Sequence, residues 1–92
     1  MRVIVEFFGV PRRLTGVAEK AMEMTETSDL RDLLHSVKAE FSALCPSVIS
    51  PDTAEVVSPY MLSIDGRIVP NDLGYRLRDG DRILILSSIV GG

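Results

Sequence analysis

Apolar and polar residues alternate from Arg2 to Phe8: Val3, Val5 and Phe7 share one side, and Arg2, Ile4, Glu6 and Phe8 share the other. A period of two predicts a β-strand. Gly9-Val10-Pro11 breaks it, and Gly16 closes the loop that follows. Alternation resumes from Glu19 to Thr25, with Lys20, Met22 and Met24 set against Glu19, Ala21 and Glu23. The two segments read as an antiparallel pair joined by a loop near Pro11–Gly16.

The period then changes. Leu30, Leu33, Leu34, Val37 and Phe41 are spaced as one face of a helix. Ser28 or Asp29 can cap its start, and Asp29 and Asp32 suit the positive end of its dipole. The helix is expected to fail before Pro46, since a residue preceding proline disfavours helical angles. Cys45 to Pro59 contains three prolines and reads as a long surface excursion, with a short strand at Ala54–Val57. Tyr60 to Ile64 is the next strand. Asp65-Gly66 is a hairpin signal, with Arg67-Ile68-Val69 returning. Asn71 to Arg78 reads as irregular. Asp79-Gly80-Asp81 turns into a last strand, where Ile83 and Ile85 oppose Leu84 and Leu86.

The order ββαβ(β)β lets one amphipathic helix cover one face of a mixed four- to five-stranded sheet. The first and last strands are the most apolar, which places them side by side at the centre. They would run parallel, because a long crossover separates them. The expected class is α+β, a ubiquitin-like β-grasp in a single domain over residues 1–92.

Composition narrows the function. The chain carries 13 acidic and 10 basic residues, a net charge of −3, interleaved without a basic stripe. Nucleic acid is therefore not an expected partner. No apolar run approaches the length of a membrane span, and the start lacks a signal-peptide pattern. The single cysteine excludes an internal disulfide, and a cytoplasmic location is the default. There is no glycine-rich phosphate loop, no paired metal ligands and no nucleophile–base pair, so neither catalysis nor a permanently bound cofactor or metal is expected. Cys45 reads as an inert loop or core thiol, and His35 as a solvated histidine among the helix's charged positions. Met22 and Met24 read as sheet packing, and Arg12-Arg13 as a solvated loop pair.

The last residues are Val90-Gly91-Gly92. Glycines here serve neither a turn nor a cap, and a thin peptide ending in a carboxylate fits a narrow slot. The expected reactive group is the carboxylate of Gly92, with Val90 and Gly91 as its tail. A second expectation concerns the sheet face away from the helix. One helix cannot cover both faces, and Phe8, Ile68 and Leu86 have the parity that points away from it. They form a candidate docking patch, unless the Cys45–Pro59 segment folds over them.

Three stretches carry a family likeness. Val5-Glu6-Phe7-Phe8-Gly9-Val10-Pro11-Arg12-Arg13-Leu14-Thr15-Gly16 resembles the opening of the molybdopterin synthase small subunit. Leu77-Arg78-Asp79-Gly80-Asp81-Arg82-Ile83 is similar to that family's turn into its final strand, and Gly91-Gly92 is similar to its terminus. Ser87 and Ser88 stand where the family often has prolines. The resemblance implies a sulfur carrier. An E1-like adenylating enzyme would use ATP to activate Gly92, and a persulfide would replace AMP to leave a thiocarboxylate. A large synthase subunit or another sulfur-accepting enzyme would then receive the sulfur for molybdenum or tungsten cofactor synthesis. It also implies that apolar residues at the positions of Phe8, Ile68 and Leu86 meet these partners. Three alternatives stay open: a sulfur carrier for thiamine thiazole or another metabolite, a ubiquitin-like modifier joined through Gly92 to lysines, and a β-grasp binding module with an unreactive tail.

Overall fold

A computed structural model describes residues 1–69 and 73–87, with residues 68 and 69 described by their backbone alone. Among these residues five strands form one sheet: β1 (Arg2–Phe7), β2 (Glu19–Glu23), β3 (Tyr60–Ile64), β4 (Arg67–Val69) and β5 (Arg82–Ser87). Their order across the sheet is β2-β1-β5-β3-β4. β1 and β5 pair in parallel, with Val5 opposite Ile83 and Phe7 opposite Ile85, as their apolar character predicted. The other neighbours are antiparallel. This mixed sheet under one main helix is the ubiquitin-like β-grasp.

Helix α2 (Leu30–Glu40) covers one face of the sheet. Its start is held on several sides at once. Asp29 and Asp32 form a reciprocal capping box, with Asp32 N–H donating to Asp29 Oδ1 at 2.9 Å and Asp29 N–H donating to Asp32 Oδ2 at 3.1 Å. The Leu30 and Arg31 N–H groups donate to the carbonyls of Tyr75 and Leu73. The segment before β5 thus satisfies donors that a helix start leaves open. Leu30, Leu33, Leu34 and Val37 are all fully buried against Val3, Val5, Leu62, Ile64, Ile83 and Ile85 in one core. Burying such side chains contributes about 1.5–3 kcal/mol each, as an upper bound.

Two expectations need correction. The segment after β1 is not a simple loop. Val10–Thr15 forms a short helix, α1, with a proline in its first turn and Gly16 closing it in the left-handed conformation, φ 78°. Proline fits the first turn because its missing N–H would be unsatisfied there anyway. The Cys45–Pro59 segment is not confined to the surface. Val48, Ile49, Ala54 and Val56 are buried in the main core. Ile49 and Val56 form an isolated antiparallel bridge, and Val57 N–H donates to the Val48 carbonyl at 2.8 Å. The strand expected at Ala54–Val57 shrinks to that one bridge. Ala54 adopts a left-handed backbone, φ 66°, at full burial. The segment tucks into the helix side of the molecule, so burial rather than length governs its role.

Smaller differences are at the ends. β2 stops at Glu23 instead of Thr25, although Met24 N–H still bonds the Met1 carbonyl. α2 ends at Glu40, and a single 3₁₀ turn, Ser42–Leu44, follows before Pro46. The predicted hairpin holds: Asp65 and Gly66 both have positive φ, 49° and 83°. That is the requirement of a two-residue turn matched to strand twist.

Candidate functional site

Alternation along β1 and β5 decides what reaches the sheet face away from α2. Val3, Val5, Phe7, Ile83 and Ile85 are buried beneath the helix. Their neighbours Ile4, Glu6, Phe8, Leu84 and Leu86 therefore point outward. Phe8 is 65 % exposed, which is extreme for a large aromatic side chain. Its backbone is nonetheless fixed, because Phe8 N–H donates to the Ile85 carbonyl at 3.1 Å. A rigid strand end thus presents a ring to solvent. The buried Cys45–Pro59 residues leave it uncovered.

Leu86 pairs with Met61 on β3, and Leu84 pairs with Ser63. Ser63 pairs in turn with Ile68. The register therefore brings Phe8, Leu84, Leu86 and Met61 to one end of one face. Leu86, Leu84 and Met61 are each half-buried. Ile68 pairs with Ser63 through its backbone, and its side chain, expected in the patch, is outside the described residues. Because β1 and β5 are parallel, the apolar end of the face is also the end at which β5 finishes, at Ser87. Val90, Gly91 and Gly92 lie outside the described residues.

Sequence reasoning missed Met61 and Leu84 as members of the patch. Parity in Tyr60–Ile64 and Arg82–Ser87 carries the signal, but only the β3–β5 register places the two beside Phe8. It also missed the charges that border the patch. Arg82 Nε donates to Glu6 Oε1 at 3.0 Å, and its Nη2 donates to Glu19 Oε1 at 3.3 Å. One guanidinium thus ties together β5, β1 and β2. The hydrogen bond to Glu6, then the charges of Glu6 and Glu19, push the Arg82 pKa further up. At the other end of the face, Arg2 Nε pairs with Glu23 at 2.7 Å.

The remaining candidates lie elsewhere. Cys45 is a free, half-buried thiol packed against the core. His35, Arg12 and Arg13 are exposed. Met22 and Met24 pack against the core edge. Among the described residues no group of three His, Cys, Asp or Glu side chains could hold a metal ion. No helix among them is long and apolar enough to cross a membrane.

A family model described as the ThiS family matches residues 5–92. The chain belongs to the ThiS family. As a member it is a β-grasp protein of the sulfur-carrier type. The likeness to the molybdopterin synthase small subunit extends to solved structures. A Pyrococcus furiosus protein assigned as molybdopterin converting factor subunit 1 is 26 % identical, with a TM-score of 0.76 over 96 % of this chain and 98 % of that one. A chain of the Helicobacter pylori complex of molybdopterin-converting factor subunits 1 and 2 is similar over 100 % of both chains, at 23 % identity and TM-score 0.65. Small archaeal modifier protein 1 from Methanosarcina acetivorans is 23 % identical, with a TM-score of 0.79 over 99 % of this chain and 96 % of that one. Curated protein sequences give no match.

Proposed function

We propose that this ThiS-family member carries sulfur on Gly92 for molybdopterin synthesis and docks on its partners through the face that displays Phe8. The exposed Phe8 ring, at the end of the sheet where β5 finishes, is the observation that carries the docking reading. The 26 % identity to a molybdopterin converting factor subunit supports the pathway. The Helicobacter pylori neighbour, solved as a complex with its second subunit, supports a sulfur-accepting partner of that kind.

A carboxylate is a poor electrophile, so activation must come first. An E1-like partner joins the Gly92 carboxylate to AMP from ATP, releasing pyrophosphate. The outer sulfur of a donor persulfide then attacks the acyl carbon and AMP leaves. A second thiol reduces the resulting acyl disulfide, itself becoming oxidised to a disulfide, and Gly92 is left as a thiocarboxylate. This sulfur attacks the acceptor held by the large synthase subunit, and water then cleaves the acyl carbon–sulfur bond, leaving the sulfur on the acceptor and returning Gly92 to a carboxylate. The chain supplies the tail and the docking face, while catalysis belongs to the partners.

Incubation with the adenylating enzyme, ATP and a persulfide donor should add mass equal to replacing one oxygen by sulfur, placed at Gly92 by fragmentation. Deleting Gly92, or adding one residue after it, should abolish the gain with an unchanged melt, since changes to the last residue of a chain commonly cost little stability. Sulfur found on Cys45 instead would overturn the assignment. The neighbour named as a modifier protein favours one second reading, attachment of Gly92 to lysines. A ladder of conjugates in the same incubation, in place of sulfur transfer, would support that reading.

A further inference from the structure

The docking face is not wholly apolar. Glu6 lies within it, two residues before Phe8 on the same side of β1 and opposite Leu84 on β5. Its side chain is 35 % exposed. Any partner surface that covers Phe8 and Leu84 must also take water away from this carboxylate. A carboxylate removed from water without a counter-charge opposes association strongly, whereas one already bonded to a cation does so much less.

The cation is present within the chain. Arg82 holds Glu6 through Nε at 3.0 Å and Glu19 through Nη2 at 3.3 Å. The forked guanidinium can serve two carboxylates on two strands from one side chain, which a lysine ammonium cannot do with comparable geometry. Both carboxylates and the guanidinium retain substantial exposure, so the pairing contributes little to the stability of the free protein. Its effect would be felt once a partner excludes water from the face.

We infer that Arg82 is a positioning residue for docking: it neutralises Glu6 and holds it with Glu19 at the border of the patch, so that an apolar partner surface can close over Phe8 and Leu84. This rests on the docking reading above. It also defines the partner's chemistry. The surface that meets Glu6 is apolar and carries no basic residue aimed at it, because the counter-charge is supplied in cis.

ATP–pyrophosphate exchange by the adenylating enzyme of the same organism, with this protein as the varied substrate, tests the inference. Arg82→Gln should raise KM at least about tenfold, as expected when a covered charge loses its partner, with kcat and the melting temperature nearly unchanged. Adding Glu6→Gln to that variant should recover most of the loss. A rescue of this kind is not expected of a residue that merely supports the fold. The inference is overturned if Arg82→Gln leaves KM unchanged while Phe8→Ala raises it. It is also overturned if Glu6→Gln fails to rescue, which would mean that Arg82 contacts the partner directly. A large KM increase from Glu6→Gln alone would point to a partner cation and likewise overturn it. If Phe8→Ala is itself without effect, the docking reading falls and this inference falls with it.

Discussion

Two adjacent phenylalanines should respond to truncation in opposite ways. Phe7 is 3 % exposed, and its ring meets Phe41 edge-on with centroids 5.3 Å apart. Phe7→Ala removes that ring and leaves a cavity under the helix, at a cost of about 3–5 kcal/mol. A 92-residue domain has roughly 5–14 kcal/mol of stability in total, so a large share would be lost. For this size each kcal/mol lowers the melting temperature by about 4–8 °C, giving a fall of roughly 12–40 °C. Phe8 is 65 % exposed, and truncation spares its backbone hydrogen bond to Ile85. Phe8→Ala should change stability by no more than about 0.5 kcal/mol, or about 4 °C. Binding should reverse the order: loss of Phe8 should weaken binding to the adenylating partner proposed above about tenfold, equivalent to about 1.4 kcal/mol. Circular-dichroism melts and calorimetric titrations on both variants make the comparison. If Phe8→Ala melts as low as Phe7→Ala, the outer face is covered and the reasoning fails.

Other predictions follow from particular contacts. Burial, then the charge and hydrogen bond of Asp81, raise the Tyr75 pKa above its ordinary 10.0. A raised folded pKa means that the contribution is fully present below pH 10 and is lost as pH climbs through the folded value. Ultraviolet titration should therefore show a tyrosinate transition above the usual range that is absent from Tyr75→Phe, and its presence in that variant would refute the assignment. Asp29→Ala removes the acceptor for Asp32 N–H, and urea unfolding should register a loss of about 0.5–2 kcal/mol. Leu86→Ala, at a half-buried position opposite Met61, should impair docking more than folding. A melt as low as that of Ile85→Ala would place Leu86 in the core instead.

Much of the fold was legible because it follows from local periodicity. The two-residue alternation of Arg2–Phe8 and Arg82–Ser87 and the helical spacing of Leu30 to Phe41 dictate which side chains face inward. Asp65-Gly66 dictates a tight reversal, since few other pairs adopt two positive φ angles. The capping role of Asp29 was equally local, set by a carboxylate at the right offset from a free N–H. The outward parity of Phe8 and Leu86 followed from the same alternation. The reactive role expected of Gly92 was also a reading of sequence, and it lies beyond the described residues.

The tertiary structure decided what depends on residues distant in the chain. Prolines and serines between Cys45 and Pro59 suggested exposure, yet Val48, Ile49, Ala54 and Val56 are buried. Proline constrains backbone angles and says little about burial, and these four apolar residues follow no single period. α1 escaped notice because six residues offer too short a stripe to show a helical repeat. Met61 and Leu84 joined the patch only through the β3–β5 register. Arg82 reached Glu6 and Glu19 across 76 and 63 positions of sequence. An ion pair of that kind leaves no mark on local pattern, because it forms only when the parallel β1–β5 pairing brings the first and last strands together. Which residues face outward was therefore set by sequence alternation, but which of them are neighbours, and so what a partner would meet, was set by strand order and register.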